Sequence, residues 1–377
     1  MSVTALSHMA DAAACPRLVL KVGSSLLVDG AGAARGAWLA SLAQDIATLR
    51  QGGTEVIVVS SGAIALGAAR LGLPERGRRS LADAQAAASV GQIALAGLWT
   101  ERLGAHGIPA AQLLLTLSDL EDRRRYLNVS STLARLLEAG AVPVINENDS
   151  VATEEIRFGD NDRLAARVAQ AAQADAVVLL SDVDGLYDRD PREGGAVLVP
   201  TVDGITAEIM AMASSASSSG LGSGGMASKL QAAQIAERAG IALAIINGTH
   251  ESPLSNAMAS GTGTLFLPQR SDRARKAWLG GRMAAAGTLR VDAGCAAALA
   301  RGASLLAAGV IGVSGGFRRG DLVKICDLKG KALAQGLSEY DAPECMAIAG
   351  KREDQQASLL GYAPRSCVVH RDHMVLL

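Results

Sequence analysis

Short apolar runs separated by amphipathic stretches recur along the first two thirds of this chain, and no other feature restricts its fold so strongly. Arg17 to Val22 (RLVLKV) reads as a buried strand, Ala37 to Leu49 as an amphipathic helix, Glu55 to Val59 (EVIVV) as a second strand, and Gly62 to Leu71 as the helix after it. The alternation continues through an Ala-rich helical stretch Leu81 to Leu103, a strand near Ala111 to Leu115 and a helix Leu127 to Ala139. Further strands follow at Val142 to Ile145, Ala176 to Leu180, Ile241 to Ile246 and Thr264 to Leu267. Strands that are apolar along their whole length must be covered on both faces, so the pattern predicts an α/β fold: a three-layer α/β/α sandwich around a mainly parallel sheet.

At 377 residues the chain is too long for one ordinary core. Its charge also divides it, with 20 Lys and Arg against 27 Asp and Glu in residues 1–269, but 16 against 10 in residues 270–377. Such an asymmetry accompanies a change of domain. Gln269 to Arg282 (QRSDRARKAWLGGR) has the composition of a charged linker, and short strands between Gly-rich turns follow it, as at Val310 to Val313, Leu322 to Ile325 and Ala332 to Ala334. The expected layout is a disordered tail over 1–14, a first domain over 15–269, a linker over 270–286, and a small β-barrel-like domain over 287–377.

Several function classes drop out. The five cysteines are scattered and lack any Cys-x-x-Cys spacing, which speaks against a zinc site and a disulfide framework. The opening residues carry no basic residue before Arg17, and His8 and Asp11 break their apolar stretches, so they do not read as a secretory signal. No window approaches eighteen uncharged apolar residues, the pattern of a spanning helix. Gly220, Gly222 and Gly225 satisfy G-x-G-x-x-G, but a serine-rich run precedes them where a dinucleotide fingerprint has a strand, and no Gly-Lys-Ser/Thr follows for a Walker A loop. His370-Arg371-Asp372 imitates a protein-kinase catalytic loop without the Asp-Phe-Gly that should follow; it reads as the closing strand of the small domain.

What remains is polar chemistry at strand ends. Val142 to Val151 (VPVINENDSV) breaks from apolar to polar at Asn146, and with Gly159 to Asp162 it crowds carboxylates and asparagines at the carboxyl end of a strand, where parallel sheets bind ligands. Lys21 stands inside an apolar strand before Gly23, whose missing side chain lets backbone amides approach an anion. Taken alone, Lys21 also reads as an edge residue snorkelling to water, and Ser60 or Ser61 as a plain helix cap. The glycine loop before Met226 to Ala239 leads into a helix that presents Ser228 and Lys229 in its first turn, an arrangement suited to a nucleotide phosphate.

Together, VLKVGS at 19–24, VVSSGAIALG at 58–67, VPVINENDSV at 142–151, FGDNDRL at 158–164, LLSDVDGLY at 179–187 and GSGGMASKLQ at 222–231 resemble the amino acid kinase family, with a C-terminal part similar to a PUA domain. Ser181 and Ser228 stand where threonine is common, which keeps the hydroxyl. The resemblance implies phosphoryl transfer from ATP, with Mg2+, to the side-chain carboxylate of L-glutamate. It implies that Lys21 and Lys229 stabilise the transferring group and that Asp162 orients them. Ser61, Gly62, Asn146, Asp149, Asp160 and Asn161 would bind the acceptor. Lys21, Gly23, Ser181, Asp182, Ser223, Gly224, Gly225, Met226, Ala227, Ser228 and Lys229 would bind ATP. Feedback inhibition by proline, a homo-oligomer and a cytoplasmic location are likewise implied. Two rivals stand beside it: a sister kinase acting on another carboxylate, carbamate or a nucleoside monophosphate, and RNA binding by the basic tail, which has few aromatics for stacking.

Overall fold

The computed structural model describes residues 3–151, 160–192, 194–215, 225–268 and 285–377. It divides into one unit of Met1–Asp122 with Asn128–Gln269 and another of Arg123–Leu127 with Arg270–Leu377. The first holds an eight-stranded sheet made of β1 (Arg17–Val22), β2 (Glu55–Ser60), β3 (Ala110–Leu115), β4 (Val142–Glu147), β5 (Ala176–Ser181), β6 (Thr201–Val202), β7 (Ala242–Asn247) and β8 (Thr264–Phe266), in the order β3-β4-β2-β1-β5-β7-β8-β6. All neighbours from β3 to β7 run parallel, while β8 is antiparallel to β7. β5 is buried at every residue and β1, β2, β4 and β7 at all but one, the consequence of helices on both faces.

Register sets up the site. Val22 pairs with Ser60, Leu115 with Glu147, and Ser181 with Asn247, so the strands turn polar together at their carboxyl ends. Helices Ala63–Leu71, Asp160–Ala172 and Met226–Arg238 then begin beyond the ends of strands or after the loops that follow them.

The expected disordered tail is instead ordered from Val3. Leu6–Ala10 forms a 3-10 helix, and Val3, Leu6 and Met9 are buried in the sheet's core cluster. Leu6 and Met9, three apart, fall on one side of this 3-10 helix, and Val3 joins them from the extended residues before it. The expected linker lies largely outside the described residues.

The second unit carries a five-stranded mixed sheet of β9 (Gly287–Val291), β10 (Val310–Gly315), β11 (Leu322–Cys326), β12 (Ala332–Leu337) and β13 (Met374–Leu376), in the order β10-β9-β11-β12-β13. Leu289, Phe317, Ile325, Tyr340 and Val369 are fully or almost fully buried in its own core. His370-Arg371-Asp372 is not its closing strand. His370 caps a 3-10 turn, Arg371–His373, by accepting from the Asp372 amide, and the strand starts only at Met374. Among the described residues no helix is long and apolar enough to cross a membrane.

Candidate active site

Three elements far apart in sequence converge on one carboxylate. β1 delivers Lys21, the first turn of Asp160–Ala172 delivers Asp162, and the first turn of Met226–Arg238 delivers Lys229. Lys21 Nζ lies 2.6 Å from Asp162 Oδ1 and Lys229 Nζ 3.3 Å from Oδ2, while Ser228 Oγ donates to the same Oδ2 at 2.9 Å. Asp162 has no exposure at all, and both lysines are buried. Lys21 is therefore not an edge residue snorkelling to water. Burial pushes the Asp162 carboxyl up, but the Lys21 and Lys229 ammonium charges and the hydrogen bonds from Lys21 and Ser228 win, holding it down at about 2. Its place in a helix's first turn acts the same way. For Lys229, burial pulls the ammonium down, Asp162 raises it and Lys21 lowers it again, leaving a net depression. Two buried cations share one anion, so the cluster carries an excess positive charge. A Cβ at Gly23 would be 3.7 Å from Lys21 Nζ, which places the open Gly23 turn beside that ammonium.

A second polar group adjoins the first through Asn161, the neighbour of Asp162. Asn161 Nδ2 donates to Ser61 Oγ at 2.7 Å and to Asn146 Oδ1 at 3.2 Å, while Asn161 Oδ1 is buried with no hydrogen-bond partner. Asn146 is 2% exposed and donates to Gln92 Oε1 at 2.9 Å. Ser60 has a different task, since its hydroxyl accepts from Trp99 Nε1 inside the core. Gly62, at φ +119°, makes the left-handed turn between Ser61 and the next helix. Asp149 is almost buried and lines a cavity of about 280 Å³ with Gln92, Glu147 and Asn148. Burial lowers the Arg78 guanidinium's proton affinity and the Asp149 carboxylate opposes it, so Arg78 is a charge neighbour of Asp149. Asp160 opens its helix.

On the other side of Lys229, a cavity of about 170 Å³ is lined by Ser181, Asp182, Gly225 and Met226, and also by Tyr187, Arg189, Pro191, Arg192 and Met212. Ser181 Oγ donates to Asp182 Oδ1 at 3.3 Å. Ala227 is exposed on the helix, and Ser223 and Gly224 lie outside the described residues. The wall from Arg189 to Arg192 and Met212 escaped sequence reasoning. Its only local signal is a charged, proline-containing turn after β5, a composition shared by any surface loop. Gln92 and Arg78 escaped it as well.

By its charge and its cavities this arrangement has room for an anion at the lysines, a small polar molecule at the asparagines and a larger ligand along Ser181 to Arg192. Comparison with known proteins gives the family. A model of the amino acid kinase family matches residues 16–247, and a PUA domain model matches residues 287–359. A glutamate 5-kinase of Novosphingobium aromaticivorans is 65% identical over all of both chains. One of Sphingopyxis alaskensis is 60% identical over 97% of this chain and 98% of that one, and one of Zymomonas mobilis is 56% identical over 96% and 92%. The chain therefore belongs to the amino acid kinase family, with a PUA domain at its C-terminal end.

Proposed function

We propose that the chain is an ATP-dependent glutamate 5-kinase, transferring the γ-phosphoryl group of ATP to the side-chain carboxylate of L-glutamate and yielding L-glutamyl 5-phosphate and ADP, the first step toward proline. The identity of 65% along the whole chain to a protein of that name supports the reaction. The observation that carries the chemistry is the pair of buried lysines on Asp162.

The acceptor carboxylate is ionised at neutral pH, because its reference pKa lies near 4, so an oxygen lone pair attacks phosphorus without a general base. One P–O bond forms as the bond to the ADP oxygen breaks, and no proton moves. What the protein must do is position two anions and cancel charge that spreads over the transferring group. Lys21 and Lys229 supply two ammonium groups there. Asp162 keeps both aimed and charged, and Ser228 orients Asp162. Asp182, on the wall of the nucleotide cavity, is a carboxylate that would help hold a magnesium ion, which would supply charge neutralisation there. Asp149, Asn161, Asn146, Ser61, Gly62 and Asp160 form the acceptor mouth, and the acid-rich character of that mouth suits an ammonium and repels a nucleotide acceptor.

Proline shares the α-carboxylate and amine of glutamate and is read as a competitor at the same mouth. A homo-oligomer in the cytoplasm completes the reading. ADP release measured across a panel of amino acids, carbamate and UMP tests it: turnover with L-glutamate and magnesium-ATP is expected, and its absence overturns the assignment.

A further inference from the structure

Gln92 reaches the acceptor mouth because two helices touch backbone to backbone. A Cβ at Gly91 would come 1.7 Å from the Ala63 carbonyl oxygen, and one at Gly67 would come 1.8 Å from that of Ala87. Only glycine permits this approach between Ala63–Leu71 and Leu81–Gly104. It carries Gln92, the next residue after Gly91, to the buried Asn146 at the end of β4.

The hydrogen bonds there form a chain with a direction. Asn146 Nδ2 is committed to Gln92 Oε1, so Asn146 Oδ1 faces Asn161. An amide nitrogen has two hydrogens, and Asn161 Nδ2 uses them on Asn146 Oδ1 and Ser61 Oγ. Its oxygen is left over, buried and without a partner. A buried acceptor left unmade is costly, which makes it a socket for a donor. A donor in place of Gln92 Oε1 would turn every amide in the chain, and Asn161 would then present its NH2 group instead. Gln92 sets this direction with its oxygen turned to Asn146, since a carboxamide, like the Ser61 hydroxyl, can donate or accept.

We propose that Gln92 is a positioning residue that fixes the polarity of the Gln92–Asn146–Asn161 relay, so that the Asn161 oxygen faces the substrate ammonium. Resting on the reading of L-glutamate as acceptor, the inference makes recognition of the amino group depend on the residue that orients Asn161 through Asn146. It also gives the Gly67–Gly91 contact a purpose beyond packing.

The test compares L-glutamate with glutarate, which keeps both carboxylates and lacks the amine, as ligands of the full-length chain. Gln92→Met keeps the length and removes the acceptor. It should raise the glutamate KM roughly tenfold, the scale of one charge-assisted hydrogen bond, with a smaller change in kcat, and shift the glutarate inhibition constant less than about threefold. Gln92→Glu retains an acceptor and should keep the glutamate KM within about threefold of wild type. Equal weakening of both ligands, an unchanged glutamate KM, or a Gln92→Glu enzyme as impaired as Gln92→Met would overturn the relay. If Gln92→Met does not fold, Gln92→Lys against Gln92→Glu poses donor against acceptor at similar length, and equal glutamate KM values in that pair would overturn it too. A wild-type enzyme that fails to turn over glutamate sinks the acceptor reading itself, an outcome distinct from all of these.

Discussion

Lys229→Met is expected to abolish most of the activity while leaving stability intact or improved. Lys229 is 6% exposed, and its burial works against the charge it carries. Asp162 keeps the closer lysine, Lys21 at 2.6 Å, and the Ser228 hydroxyl when the second ammonium is removed. No buried charge is orphaned, and Met fills nearly the volume of the lysine stem, so the stability change should stay within about 1 kcal/mol. Asp162→Asn does the reverse. It leaves two buried ammonium groups without their anion and should cost about 3–5 kcal/mol, a large share of a typical total of about 5–15 kcal/mol. Both variants should lose roughly 100-fold or more in kcat, about 2.7 kcal/mol of barrier. Urea unfolding midpoints read the stability and ADP release reads kcat. Acid adds a further check. The Asp162 carboxyl is held at about 2, below its ordinary 3.8, so its contribution of roughly 2 kcal/mol is complete above pH 3.8 and is lost as pH falls through 2. The stability gap between wild type and Asp162→Asn should shrink over that window. A Lys229→Met protein that loses more than about 2 kcal/mol, or an Asp162→Asn protein with a wild-type midpoint, would refute the picture of two cations competing for one buried anion.

Lys21→Ala should likewise reduce kcat by roughly 100-fold, with a smaller effect on glutamate KM, as steady-state kinetics will show. Asp149→Ala should raise the glutamate KM strongly and leave ATP affinity alone; an ATP affinity that collapses instead would mean that the acidic mouth serves the nucleotide. Gly91→Ala should destabilise by about 1–3 kcal/mol or more, because a methyl 1.7 Å from the Ala63 carbonyl forces the helices apart, and should raise the glutamate KM through Gln92. A chain ending after Pro268 should fold, phosphorylate glutamate and remain proline-sensitive, since β8 and the first core stay complete; an active but insensitive truncation would place regulation in the second unit.

The sheet was legible in the sequence because burial on both faces demands uninterrupted apolar runs, and RLVLKV, EVIVV and AVVLL advertise it without any tertiary information. The polar strand ends were legible for the same reason, since Asn146 and Ser181 stand where an apolar run stops. The direction of β8, antiparallel to β7, carries no such mark, because hydrogen-bond direction leaves the apolar pattern unchanged. Nor could periodicity show that Val3, Leu6 and Met9 dock on the core, as three residues in a polar context make too short a pattern. Sequence alone also left Lys21 with two readings and Ser60 and Ser61 equivalent. Folding separated them: Lys21 shares Asp162 with Lys229, Ser60 meets Trp99, and Ser61 meets Asn161. Local pattern records which side chains are apolar and at what period, whereas a shared carboxylate, a directed amide chain and a glycine contact exist only once residues as distant as Lys21, Asp162 and Lys229 are brought within a few ångströms.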